Sequence, residues 1–236
     1  MPENNSIIIH GDNAKSMLCP ENNNNSTPLN PQYNILYCDP PWKYHVWGKK
    51  GASSAAENHY PTMPLADICA LSVGSIAAQD SALFLWVTCP NLQQSFEVIK
   101  AWGFTYKTVA FVWIKKNKKA DSLFWGLGHW TRANAELCLL ATKGNPRRVS
   151  KSVHQVIMTP IEAHSKKPDE ARARIVELMG DLPRIELFAR NYTEGWDVWG
   201  NEINSSIALT GQNINLANRQ DNYKEAAQGR AAPGRR

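Results

Sequence analysis

The sequence has little that would place it in a membrane, an oxidising compartment or a metal-dependent class. No stretch approaches the roughly 18 uninterrupted apolar residues of a spanning helix. The start, MPENNSIIIHGDN, has no basic segment leading into a long apolar one, so a soluble, cytoplasmic protein with no membrane partner is expected. The five cysteines, Cys19, Cys38, Cys69, Cys89 and Cys138, are odd in number and scattered, with no C-x-x-C pair. That pattern argues against a disulfide framework and for a reducing interior. The six histidines lack metal-ligand spacing, so His59 and His129 read as structural or surface residues and no metal is expected. No G-x-G-x-x-G occurs; Gly126 and Gly128 form only an isolated G-x-G, which weighs against a dinucleotide-binding fold. A large net charge is also missing. Twenty-six Lys and Arg against 21 Asp and Glu leave +5, which permits an anionic partner without demanding one. Over half of that excess falls in the last 18 residues, where Arg219, Lys224, Arg230, Arg235 and Arg236 face only Asp221 and Glu225.

What is present describes a folded chain. With 43% hydrophobic and 20% charged residues over 236 positions, one large domain is accommodated. Short apolar runs at 6–10, 35–38, 82–87 and 136–142, with a β-branched and aromatic run at 105–114 and RIELFA from Arg184, have strand length and composition. The near-continuous apolar character of 82–87 and 136–142 suggests parallel strands covered on both faces. Leu92, Phe96, Ile99 and Trp102 recur at helical spacing before Gly103. Pro168, Asp169 and Glu170 open a second helix, with Ala171, Ile175, Leu178 and Met179 on one face, closed by Gly180 and Pro183. Alternation of this kind predicts an α/β, Rossmann-like doubly wound fold: a mostly parallel central sheet, helices on both faces, and ligands at the carboxyl ends of strands. The folded domain is expected over 1–203, interrupted by a polar Asn/Pro-rich loop at 20–32. Residues 204–236 read as a basic, flexible tail.

One motif stands out by its position. Asp39-Pro40-Pro41-Trp42 directly follows the apolar run 35–38. A carboxylate at a strand end, followed by two prolines that fix φ and remove amide donors, makes a rigid loop rich in acceptors. Such a loop suits a donor such as an exocyclic amine, with the aromatic in fourth place offering a stacking face. The plain alternative is a turn, since Asp-Pro commonly starts one.

With this motif the chain resembles the N6-adenine methyltransferases of the METTL-like, β-class type, whose signature is D-P-P-W. The resemblance runs from about residue 6 to 203. It also includes His59 to Met63, Phe84 to Thr88, Trp102 to Phe104, Val112 to Lys115, Gly128 to Trp130, Lys143 to Pro146, Lys167 to Glu170, Ile185 to Arg190 and Trp199 to Asn201, in the family's order. It implies S-adenosylmethionine as cofactor and adenine in nucleic acid as substrate, with DNA first, RNA as the alternative, and a prokaryotic or phage-type enzyme.

The resemblance also assigns roles. Asp39 and the Pro40 carbonyl would each accept one N6 hydrogen, localising the nitrogen lone pair toward the methyl donor, with Pro41 completing the rigid loop. Trp42 would hold the flipped or unpaired base by stacking. Asp12 and Asn13 match positions at the cofactor adenine, Lys167 the methionine carboxylate, and Asp39 the methionine amino group. Phe188, Arg190, Asn201 and Glu202 match the ribose and adenine wall. Glu136 resembles a position near the target base. Residues 43–63, with Lys43, Lys49, Lys50 and Tyr60, form a candidate substrate lid, the alternative being a disordered insertion. A second gating candidate is 158–167. Five basic pairs, Lys49-Lys50, Lys115-Lys116, Lys118-Lys119, Arg147-Arg148 and Lys166-Lys167, suggest a phosphate track, although each alone reads as a solvated turn. A non-catalytic nucleic-acid-binding partner subunit is the alternative of another class, but such relatives usually lose the acidic motif. Cytosine-N4 transfer is a weaker one, because Ser more often replaces Asp39 there. A homodimer or heteromeric partner is compatible with either reading.

Overall fold

Strand-forming runs separated by short helices assemble into one seven-stranded sheet in the computed structural model, which describes residues 31–43, 62–128, 130–163 and 165–209. In chain order the elements are β1 (Tyr33–Cys38), α1 (Leu65–Ala70), α2 (Val73–Ile76), β2 (Ala77–Val87), α3 (Leu92–Ala101), β3 (Thr105–Lys116), β4 (Glu136–Lys143), β5 (Val156–Pro160), α4 (Glu170–Met179), β6 (Arg184–Leu187) and β7 (Asp197–Trp199). The sheet order is β5-β3-β4-β2-β1-β6-β7. Four pairings are parallel, β1 with β2 and β6, β3 with β5, and β6 with β7. The remaining two, β4 with β2 and with β3, are antiparallel.

Both faces are covered. Ile68, Val73, Ile76, Val98, Ile99 and Trp102, from and just after α1 to α3, share one core cluster with Leu36, Leu83 and Leu85. On the opposite face, Ala171, Ile175 and Met179 of α4 pack with Ile35, Tyr37, Phe84 and Trp86. Successive strand residues point to opposite faces, so β1 and β2 must be apolar on both. This explains why Ala82 to Val87 are buried without a break. The expected fold class therefore stands, with one correction inside it. β4, read as parallel from its unbroken apolar run, is antiparallel to both neighbours. Among the described residues between β3 and β4 there is no crossover helix, and the chain turns back on itself. The apolar run reported two-sided burial, not direction.

Two boundaries also shift. β5 begins before the second gating segment, so Met158 to Pro160 belong to an edge strand paired with Ile114 to Lys116. The tail boundary at 203/204 falls inside the packed body: Leu209 is 5% exposed in the first core cluster and the Ser206 amide donates to the Val198 carbonyl at 2.7 Å. The expected strand at 6–10, residues 20–30 of the polar loop, 44–61 of the lid, His129 and 210–236 lie outside the described residues. Among the described residues no helix is long and apolar enough to cross a membrane.

Candidate active site

The parallel trio β2-β1-β6 puts Asp39 at the carboxyl ends of its strands, one residue past Cys38, where the sheet departs to either side of β1. A crevice at such a switch point is where open α/β sheets bind ligands. Local bonds fix the loop that follows. The Trp42 amide donates to the Pro40 carbonyl and the Met63 amide to the Pro41 carbonyl, each at 2.8 Å. Trp42 Nε1 donates to the Trp86 carbonyl on β2 at 2.9 Å, and the residue is 5% exposed. Two sequence expectations are refined here. Both proline carbonyls already hold one main-chain donor, leaving one lone pair each. Trp42 is anchored in the core as well as lining a cleft, so it clamps the loop to β2.

Asp39 stands in a line of alternating charges. Lys167, just before α4, lies 2.7 Å from Asp39 and 3.2 Å from Glu136 Oε2 at the start of β4. Lys115 near the end of β3 lies 2.6 Å from Glu136 Oε1. The Glu136 Oε2 atom is buried and lacks an aligned hydrogen-bond donor among the described residues. Burial pushes the Asp39 carboxyl above its usual value, opposed by Lys167. For Glu136, burial acts in the same direction, but Lys167 and Lys115 together outweigh it and hold its pKa down at about 2. Burial would lower the Lys167 ammonium, and its two carboxylate neighbours reverse that and raise it. The cluster therefore holds two anions and two cations in one chain of contacts, with Lys167 shared between the two carboxylates.

Two clefts meet at this line. The larger, about 1020 Å³, is lined by Asp39, Lys167, Glu186, Phe188, Arg190 and Glu202, among others. Its walls carry the only two described non-glycine residues with positive φ, Ser165 (65°) and Phe188 (62°), and backbone strain of this kind clusters at ligand clamps. Phe188 meets Trp199 edge-on at 5.3 Å, and Gly200 is required beside them because a Cβ there would collide with the Ala189 carbonyl. Arg172 braces the floor with a two-pronged contact to Glu186 at 2.7 and 2.8 Å. The smaller cleft, about 460 Å³, includes Asp39, Pro40, Trp42, Trp113, Phe124 and Glu136 in its lining. Asp39, Lys167 and Arg190 line both.

Of the residues expected at the site, Asp39, Lys167, Phe188, Arg190 and Glu202 converge on the large cleft, and Pro40, Pro41, Trp42 and Glu136 on the small one. Asn201 and Lys43 are exposed and line neither. Asp12, Asn13, Lys49, Lys50 and Tyr60 lie outside the described residues. Sequence reasoning missed Trp113 and Phe124, and treated Lys115 only as one of a basic pair. The signal was there for two of them: Phe111, Trp113 and Lys115 alternate along β3, so the face that buries two aromatics carries the lysine to the strand end, with Trp113 opposite Glu136.

An acidic strand-end loop thus stands between a large mixed-polarity cleft and a smaller aromatic one on a Rossmann-like sheet, an arrangement with room for two ligands side by side. The chain belongs to the MT-A70 family, whose model matches residues 33–202. It is similar to the Type II methyltransferase M.MunI of Mycoplasma sp, 35% identical over 73% of this chain and 78% of the relative. It is also similar to the N(6)-adenosine-methyltransferase MT-A70-like protein of Arabidopsis thaliana, at 33% identity. The N(6)-adenosine-methyltransferase catalytic subunit METTL3 of Homo sapiens matches at 29%. In both of these the match again takes in 73% of this chain, but the chain spans only 24% and 28% of the relatives' length.

Proposed function

We propose that this chain transfers a methyl group from S-adenosylmethionine to the N6 amino group of adenine in DNA. The observation that carries the reading is the meeting of the two clefts at Asp39 and Lys167. The large cleft has the donor set the cofactor needs. Lys167 suits a carboxylate, Asp39 an ammonium, Glu202 a ribose diol, and Phe188 a heterocycle face. When bound there, the cofactor supplies an electrophilic methyl group on a sulfonium. The small cleft, with aromatic walls and Glu136 at its end, is of a size for one purine base.

The residues then do three things. Adenine N6 is a weak nucleophile because its lone pair is delocalised into the ring. The Asp39 carboxylate and the remaining lone pair of the Pro40 carbonyl accept its two hydrogens and favour a pyramidal nitrogen facing the large cleft. Lys167 opposes the effect of burial on the Asp39 carboxyl and fixes its orientation. The clamp of Trp42 on β2 holds Pro40 in place while the base enters.

DNA is favoured over RNA by coverage. The chain matches most of the length of a Type II methyltransferase but about a quarter of the N(6)-adenosine methyltransferases. Calorimetric titration of the full chain with S-adenosylmethionine, followed by transfer of labelled methyl to matched DNA and RNA oligonucleotides, tests the reading. Saturable heat and a higher kcat/KM on DNA are expected. No heat would favour the non-catalytic subunit, and preference for RNA would reverse the substrate.

A further inference from the structure

Among the described residues, two exposed tryptophans and two exposed leucines fall in one segment. Between β3 and β4, Leu123 is 36% exposed, Trp125 55%, Leu127 80% and Trp130 99%. Aromatics so exposed mark a contact surface. The loop is nevertheless held in place. The Phe124 amide donates to the Lys115 carbonyl at 2.9 Å, the Gly126 amide to the Ala133 carbonyl at 2.7 Å, and Asn134 Nδ2 donates to the carbonyls of Lys115 and Phe124. Arg132 donates to the Trp125 carbonyl at 3.2 Å. A Cβ on Gly128 would strike the Thr131 carbonyl, so the tight turn that presents Trp130 depends on that glycine.

Two further features say what covers this surface. Its root is the small cleft itself, since Lys115, Lys118 and Phe124 line it. Phe124, the residue before Trp125, therefore borders the cleft that would take the base. The segment 116–135 also carries Lys116, Lys118, Lys119 and Arg132 against Asp121 alone, with Lys118, Lys119 and Arg132 exposed. Separate indole rings among cations, rather than a continuous aliphatic patch, suit a polyanion with π-faces. Stacking platforms edged by basic side chains are how single strands are held without reading their sequence.

We infer that the 117–135 loop is a stacking platform for the unpaired nucleotides flanking the target base, with Trp125 and Trp130 as the stacking rings and Lys119 and Arg132 on the phosphates. The inference rests on the proposed methyl-transfer reading and specifies its substrate: a strand opened around the adenine, not an intact duplex. In this arrangement the flanking nucleotides add residence time to a base held in the small cleft.

The test uses the full chain and a fluorescein-labelled series of single-stranded oligonucleotides, one adenine each, from three to about fifteen nucleotides. Wild type should bind longer strands more tightly. The double variant Trp125→Ala/Trp130→Ala should lose that length dependence, with KM for the long strand raised about tenfold or more. Its kcat and its affinity for S-adenosylmethionine should not change. Length dependence retained in the double variant overturns the platform while leaving methyl transfer standing. A wild type that binds long strands in this way but methylates no adenine would instead sink the functional reading. Sedimentation of both proteins guards against another occupant: a wild-type dimer that the double variant dissolves, with strand binding intact, assigns the surface to a second copy and overturns the inference.

Discussion

Asp39 is held between opposing influences, burial raising its carboxyl pKa and Lys167 opposing that rise, so its substitutions separate chemistry from stability. Asp39→Ala removes the acceptor that orients the amine, and kcat should fall by about 10²–10³, the usual cost of losing one preorganised electrostatic partner. The same change leaves Lys167, 9% exposed at its side chain, with Glu136 alone. Because the raised Asp39 pKa means that its charge is not a net stabiliser, the urea midpoint should hold while activity falls. Retained activity would remove Asp39 from the mechanism.

Acid should act on the two carboxylates with opposite sign. Glu136 has its pKa lowered from 4.5 to about 2, so the stability it contributes is present above about pH 4.5 and is lost as pH falls from there toward 2. Asp39 has its pKa raised above 3.8, so its protonation on acidification does not unfold the chain but does remove the acceptor. Loss of kcat/KM through Asp39 is therefore expected to be separate from the fall in urea midpoint through Glu136. Coincident transitions would mean that activity is lost only through unfolding.

Among the elements, β2 has the widest influence on the site. Its Trp86 carbonyl receives the Trp42 indole and its Trp86 indole donates to Tyr37 on β1 at 2.7 Å. Trp42→Phe keeps a ring but strands the Trp86 carbonyl. A cost of about 1–3 kcal/mol is expected, with kcat lowered more than KM is raised, because the loop loses its tether. A change confined to KM would restore base stacking as the main role of Trp42. Much of this was legible beforehand. The strand before Asp39, the helix from Glu170 to Met179 and the convergence of Lys167, Phe188 and Arg190 follow from periodicity and from the family resemblance. The direction of β4 was not legible, since burial on both faces produces the same apolar run in either orientation. β5 was missed because a five-residue strand with Val156 and Met158 exposed carries too little apolar signal. Lys115 was hidden by its neighbour: a basic pair reads as a surface turn until strand register sends one member inward to Glu136.

Over the whole molecule, charge and fold divide the work. The packed body extends at least to Leu209, and residues 211–236 carry Arg219, Lys224, Arg230, Arg235 and Arg236 against Asp221 and Glu225. Removing 211–236, and not the segment from 204, spares the core. The truncated chain should show weaker non-specific DNA binding and a shallower dependence of log K on log salt, with kcat unchanged. An unaltered salt slope would make the tail idle in binding. The mildly basic total of the chain would have argued poorly for a nucleic-acid enzyme; the site does so through an acceptor-rich loop at the junction of two clefts.

The central claim is that this junction delivers methyl to adenine N6 in DNA. Its most direct measurement is digestion of a DNA oligonucleotide, and of its RNA counterpart, after incubation with the full chain and S-adenosylmethionine bearing an isotopically labelled methyl, followed by mass analysis of the nucleosides. The predicted result is labelled N6-methyldeoxyadenosine from DNA, absent with Asp39→Ala. Labelled methylcytosine, label confined to RNA, or no labelled nucleoside at all would contradict it.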